Sequence, residues 1–309
     1  MLVQETFMIL REHLQIRDPF IFPMPSESRY YLFGTTDTNP WNERGNGFEA
    51  YITEDLIHFD GPHSVFSPPS GFWGTHDYWA PEVHRYRGMY YMFASFKSTQ
   101  RRRGTQILSS ASILGPYAPL ENQAVTPFEW ECLDGTLFVD RAEHPWIVFC
   151  HEWVQIHDGT VCAMRLSEDL KQAISAPLVL FHASDACWSS AIQRRDGSGV
   201  CDAHVTDGPF LQRLHDGTLI MLWSSITDYG YAMGQAHAPN GRIEGPWIQN
   251  KVPLITEDGG HGMIFTDFSG HLNVVYHTPN TTPHERLACS KVSIRARWFV
   301  KEADKGHIS

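Results

Sequence analysis

Trp79-Ala80-Pro81-Glu82-Val83-His84-Arg85-Tyr86, the pair Arg87-Gly88, and the returning run Tyr91-Met92-Phe93-Ala94-Ser95-Phe96 read together as one β-hairpin. The aromatic and β-branched residues suit a pleated surface, and Arg-Gly supplies the turn because glycine takes a positive φ without steric cost. The returning run has four echoes: Tyr31-Leu32-Phe33-Gly34-Thr35-Thr36, Ile147-Val148-Phe149-Cys150-His151-Glu152, Ile220-Met221-Leu222-Trp223-Ser224-Ser225 and Val274-Val275-Tyr276-His277-Thr278-Pro279. Each follows a turn signal, at Ser26-Glu27-Ser28, Ala142-Glu143-His144, His215-Asp216-Gly217 and Ser269-Gly270. The upstream strands likewise open on tags: Arg17-Asp18-Pro19, Leu133-Asp134-Gly135, Thr206-Asp207-Gly208-Pro209 and Gly260-His261-Gly262-Met263.

Blade openings near residues 18, 79, 134, 207 and 261 are separated by 61, 55, 73 and 54 residues, the length of a four-stranded sheet with its loops. A third echo, Asp60-Gly61-Pro62, Leu114-Gly115-Pro116-Tyr117 and Glu244-Gly245-Pro246-Trp247, is expected to turn the chain between outer strands. Helical periodicity is almost absent. The fold class is therefore all-β, a five-bladed β-propeller, with residues 1–309 read as one catalytic domain. The long third interval places an insertion near 181–205, which includes the Arg195-Asp196-Gly197 turn, and makes Trp188 a candidate wall of a ligand pocket.

The net charge of −11 and the lack of a basic run longer than Arg101-Arg102-Arg103 argue against nucleic acid as a partner. No stretch approaches 18 consecutive apolar residues, so no membrane partner is expected, and oligomeric state is left open. The N-terminal residues lack a basic region followed by an apolar one and a cleavage site, and the six cysteines show no C-x-x-C spacing, so a cytoplasmic location is expected. Aromatics at 13% with ten Trp suit a carbohydrate ligand, although a propeller core uses them as well.

In a propeller the first strand of each blade lines the central channel, so the tags converge although they are far apart in sequence. Three of them bring an aspartate: Asp18, Asp134 and Asp207. Crowded carboxylates cannot all ionise at their ordinary pKa values, so at least one is raised into the range where it donates a proton near neutrality. Glycoside hydrolysis needs that asymmetry, one carboxylic acid protonating the leaving oxygen while a carboxylate acts on water or on the anomeric carbon.

The five tags in order, from about residue 16 to 300, resemble glycoside hydrolase family 43, the five-bladed propellers that include β-xylosidases, α-L-arabinofuranosidases and arabinanases. The resemblance implies an inverting hydrolase acting on pentose-containing plant polysaccharide or its fragments. Asp18 would be the general base, Asp134 would tune and orient the acid, and the fourth tag would supply the general acid, with no cofactor required. Where the family usually carries Glu-Gly-Pro this chain has Asp207-Gly208-Pro209, whose carboxyl stops about 1.5 Å short of a glutamate's. Glu152, at the end of the second strand of blade three, is the alternative acid. The resemblance also implies that Trp79, His261 and Arg286 contact sugar, and that His261 faces a channel where relatives hold a water-coordinated calcium ion.

Two other readings stay open. The shortened acid at 207 admits a carbohydrate-binding propeller without catalysis, and Glu131-Cys132 with Arg-Asp-Pro admits a retaining, fructan-type propeller hydrolase, although Arg-Asp-Pro falls in blade one here instead of blade three.

Overall fold

The computed structural model describes residues 8–41, 44–193 and 200–303. Five antiparallel sheets follow one another along the chain, each with its first strand innermost. Blade I is built from Arg17–Met24, Arg29–Thr35, Phe48–Thr53 and His58–Phe66, with Met8–Leu10 added to its outer edge. Blade II comprises His76–Tyr86, Met89–Ser98, Arg101–Ser110 and Ala118–Pro119, and blade III comprises Cys132–Val139, Pro145–His151, Thr160–Arg165 and Leu178–His182. Blade IV follows with Asp207–Arg213, Leu219–Thr227, Gly230–Ala238 and Ile248–Gln249, and blade V with Gly260–Thr266, Leu272–Thr278, Arg286–Arg295 and Trp298–Lys301. All five turn signals fall between a first and a second strand.

Each innermost strand packs against the next, and that of blade V returns to that of blade I, which makes the five-bladed β-propeller. The returning runs are continuously apolar because each sheet is covered on both faces by neighbouring blades. Leu32 and Phe33, Met92 and Phe93, Val148 and Phe149, Met221 and Leu222, and Val274 and Val275 are all buried. Among the described residues no strand is shared between blades I and V, and the ring closes through packing and polar contacts. Ile16 N–H donates to Glu285 O at 3.3 Å, and Arg17 Nη1 donates to Glu285 Oε1 at 2.6 Å, with the Glu285 side chain fully buried.

One expectation needs correction. Asp60-Gly61-Pro62 lies inside the strand His58–Phe66, where the pairing slips between Ala50 and Ile52, and is not a turn between strands. Its glycine is required because a Cβ there would lie 2.7 Å from the Tyr51 ring. The insertion near 181–205 folds as a 3-10 turn, Ala183–Asp185, and a two-stranded ribbon pairing Ile192 with Cys201, while Arg195-Asp196-Gly197 falls outside the described residues.

Candidate active site

The tags bend the innermost strands in one repeated way. Pairing slips between Arg17 and Phe20, Trp79 and Glu82, Leu133 and Thr136, Asp207 and Phe210, and Gly260 and Met263. At each bulge one residue is left-handed: Asp18 at φ 53°, Ala80 at 47°, Asp134 at 55°, Gly208 at 52° and His261 at 43°. A side chain in that region costs on the order of 1 kcal/mol, least for Asp and Asn, and bulges re-aim side chains next to functional sites. Asp18, Asp134 and His261 thus occupy equivalent places in the ring. Asp207 stands one residue earlier, in the position that Arg17 and Trp79 hold in their blades, so the three aspartates do not share one phase as the tags suggested.

The bulges surround a cavity of about 600 Å³ at one end of the channel, lined by Asp18, Asp134, Glu152, Asp207 and His261 together with Arg17, Trp41, Trp79 and Tyr231. His261 is buried between two of the aspartates, its Nδ1 3.1 Å from Asp18 Oδ1 and 3.6 Å from Asp134 Oδ2. Burial alone would lower its pKa, but the charges of Asp18 and Asp134 outweigh it and hold it up at about 10. His261 is therefore an imidazolium.

Asp18 is the anion of this pair. Burial raises its proton affinity, but the charge and hydrogen bond of His261, with the charge of Arg17, hold its carboxyl well below the usual carboxylate range. Thr35 Oγ1 donates to its Oδ2 at 2.8 Å, and its own N–H donates to His277 Nδ1 at 3.1 Å. That bond fixes the tautomer of His277: Nε2 carries the proton and faces Asn280 Oδ1 at 3.2 Å, and burial with the charge of Arg17 pushes its pKa down to about 3. Asn280 Oδ1 also accepts from Arg17 Nη2 at 2.9 Å, so Asp18, the neutral imidazole of His277, the Asn280 amide and the Arg17 guanidinium form one network.

Asp134 and Asp207 behave oppositely. Burial, and for Asp134 the charges of Asp207 and Asp18, raise both, Asp134 to about 8, against the pull of His261. Together they retain a proton near neutrality, which belongs to the pair. Asp134 Oδ2 accepts the Gly208 N–H at 3.0 Å, and Asp207 Oδ2 accepts the Tyr231 hydroxyl at 3.0 Å. Gly260 has to be glycine, because a Cβ would meet the Tyr231 ring at 2.6 Å.

These shifts carry a stability prediction. His261 and Asp134 both have folded pKa values above their ordinary 6.5 and 3.8, so the native state binds protons more tightly than the unfolded chain. The His261 contribution is complete below pH 6.5 and is lost as pH rises through about 10, and that of Asp134 declines from 3.8 to about 8. Asp18, shifted the other way, contributes above 3.8 and is lost in acid. Thermal melts should therefore show Tm falling from pH 6.5 to 10, and His261→Gln should flatten the upper part of that slope. A slope equal to the wild type's would remove His261 as its source.

Glu152 reaches the cavity but ends in an ion pair. It accepts from Arg103 Nη1, and Arg103 Nη2 also donates to Asp77 Oδ2 at 2.8 Å. Burial raises the proton affinity of Glu152, with Arg103 opposing. The same guanidinium lies 4.1 Å over the Trp79 ring, whose Nε1 donates to Pro40 O at 2.7 Å. Trp79 is thus held from behind with its rim in the cavity. Trp41, 43% exposed, meets it edge to face at 5.1 Å and donates through Nε1 to Thr282 Oγ1 at 3.2 Å.

Two expected contacts are absent from the cavity. Trp188 lies in the apolar core between blades III and IV, its ring 4.7 Å from Trp223 and against Gly234, where a Cβ would meet it at 2.0 Å. The insertion reaches the cavity instead through Val205. Arg286 is spent on loop carbonyls, donating to Glu12 O at 3.0 Å, Pro283 O at 3.1 Å and Glu285 O at 2.8 Å, and the arginine at the cavity is Arg17. Sequence reasoning missed Tyr231, Trp41, Arg103 and His277 as parts of the site. Only His277 carried a signal, as the one imidazole among small hydroxyls and a thiol at its place in the returning runs.

For a metal ion the donor set is poor. Among the described residues no group of three or more His, Cys, Asp or Glu is placed to hold one, and His261 Nδ1 is turned onto a carboxylate. Among the described residues no helix is long and apolar enough to cross a membrane.

Carboxyls held in opposite protonation states at one end of the channel are what glycoside hydrolysis requires. Residues 13–298 match the model of glycosyl hydrolases family 43, and the chain belongs to that family and is a glycosidase with a carbohydrate substrate. It is similar to an endo-arabinase from Bacteroides thetaiotaomicron, with 42% identity over 94% of this chain and 99% of that one and a TM-score of 0.86. An endo-1,4-β-xylanase from the same organism shares 21% identity over 94% and 95% of the two chains, with a TM-score of 0.72. An α-L-arabinofuranosidase from Lactobacillus brevis shares 16% over 93% of each, with a TM-score of 0.71. The last two likenesses speak for the fold alone. No curated protein matches the chain in sequence.

Proposed function

We propose that the protein hydrolyses α-L-arabinofuranosidic linkages in arabinan or its fragments with inversion at the anomeric carbon. The observation that carries the mechanism is the division of the aspartates into Asp18, held ionised by His261, and the Asp134–Asp207 pair, which retains a proton. The 42% identity to an endo-arabinase favours arabinan.

In this reading Asp18 takes a proton from water as it attacks the anomeric carbon, and Asp207 gives its proton to the departing glycosidic oxygen. Two separate carboxyls acting on opposite sides of the sugar give inversion. Asp134 stays beside Asp207 and sets its proton affinity by repulsion. The ion pair to Arg103 favours Asp207 over Glu152 as the donor, because the guanidinium opposes protonation of Glu152 whereas Asp207 shares a retained proton with Asp134. Burial excludes water from the charged groups, so the small geometric differences between them become large energetic ones.

The test is a panel of linear arabinan, arabino-oligosaccharides and aryl α-L-arabinofuranoside, β-D-xyloside and β-D-galactoside, with the product anomer followed by NMR. Cleavage of arabinan with β-arabinose formed first is expected. Formation of the α-anomer first would remove inversion, and binding of arabinan without cleavage would leave the propeller as a carbohydrate-binding module.

A further inference from the structure

The left-handed bulges are stitched to one another around the channel. In four blades the bulge N–H donates to the side chain on the preceding blade's second strand that pairs opposite that blade's own tag. Ala80 N–H donates to Thr35 Oγ1 at 2.9 Å, Asp134 N–H to Ser95 Oγ at 3.0 Å, His261 N–H to Ser224 Oγ at 2.8 Å and Asp18 N–H to His277 Nδ1 at 3.1 Å. Thr35 pairs with Arg17, Ser95 with Trp79, Ser224 with Asp207 and His277 with Gly260. At the fifth seam the equivalent residue, paired with Leu133, is Cys150. It is fully buried, and its thiol contacts Thr206 instead. The Gly208 N–H goes to Asp134 Oδ2.

We propose that Cys150 is a positioning residue for the acid pair: as a weak acceptor it leaves the Gly208 N–H to Asp134, and that bond favours the charged form of Asp134 and so shifts the shared proton towards Asp207. This rests on the roles given to Asp134 and Asp207 above. A thiol accepts hydrogen bonds poorly, whereas a carboxylate that accepts an amide N–H is stabilised in its charged form. Gly208 is the residue after the acid, so the bond also ties the modulator to the backbone that carries Asp207. The titratable groups that face Asp134 are Asp18, Asp207, His261, Tyr231 and Cys150 itself, and none of these takes the Gly208 N–H. Burial pushes the Cys150 thiol well up, so it stays a thiol and does not compete as an anion.

The test compares Cys150→Ser with Cys150→Ala. Serine supplies at this seam the hydroxyl that three other blades place there, and alanine supplies no acceptor. If serine captures the Gly208 N–H, Asp134 gains proton affinity and draws the proton from Asp207. For Cys150→Ser, kcat on arabino-oligosaccharides is expected to fall about tenfold with KM unchanged, and less on an aryl arabinofuranoside with a good leaving group. The alkaline limb of its pH profile should move up while the plateau falls, because the pair as a whole binds its proton more tightly. Cys150→Ala is expected to lose less than Cys150→Ser, the reverse of the order that a purely space-filling role predicts. Equal losses, or a larger loss for alanine, would overturn the proposal.

Cys150→Thr provides a second hydroxyl, of the kind that Thr35 supplies in blade I, if the serine variant folds poorly. The amide shift of Gly208 gives a readout independent of turnover. It should titrate with the acid pair in the wild type and cease to do so in the serine variant, and an unchanged titration there would also overturn the proposal. If the wild type cleaves no pentoside, the function reading fails, while the amide titration still decides the role of Cys150.

Discussion

Asp18→Asn is expected to lower kcat by about 10³- to 10⁴-fold while leaving the fold in place, because in the proposed mechanism it removes the carboxylate that deprotonates water. Asparagine is the informative replacement. It tolerates the left-handed backbone at φ 53° and can still accept from Thr35, whereas alanine adds backbone strain to the loss of the base. In that variant His261 keeps Asp134 as a neighbour, and loss of the Asp18 charge lets the Asp134–Asp207 pair ionise more readily, so the imidazolium is not left without a counter-charge. Steady-state kinetics with a circular-dichroism melt checks both halves of the expectation. Residual turnover above about a tenth of wild type would take Asp18 out of the base role.

Asp207→Ala is expected to cost about 10²- to 10⁴-fold on arabino-oligosaccharides and far less on an aryl arabinofuranoside with an acidic phenol, which leaves without protonation. The contrast between substrates matters more than either number, since damage to binding or folding would lower both alike. Glu152→Gln is the control. It leaves Arg103 with Asp77 and removes a carboxylate from the cavity rim, so its losses should be similar on both substrates. Leaving-group dependence in Glu152→Gln, and none in Asp207→Ala, would exchange the two roles.

The acid assignment shows how far residue patterns reach. Asp207 was visible as part of a tag, but its tag sits one residue out of phase with those of Asp18 and Asp134. That offset emerges only from the bulge, where Gly208 takes the left-handed place and the acid precedes it. Glu152 was visible as a carboxylate at a strand end, but its guanidinium partner comes from another blade, 49 residues away. Trp188 was misread for the same reason. An insertion that looked like a rim loop folds back on Trp223 because a large indole gains more by covering an apolar blade face than by standing in solvent. Arg286 carried a charge whose destination, a set of loop carbonyls at the seam between blades I and V, no local pattern encodes.

By itself the sequence determined the five-bladed architecture, the order of the tags and the presence of Asp18, Asp134 and Asp207 at the channel. Those features depend on strand length, turn chemistry and a repeat of about sixty residues, all of which are local. Only the tertiary structure decided which carboxyl is ionised and which retains a proton. That division depends on burial and on partners such as His261, Arg17, Tyr231 and Arg103 brought from other strands and blades, and electrostatic energies inside a protein depend on distances that sequence spacing does not contain.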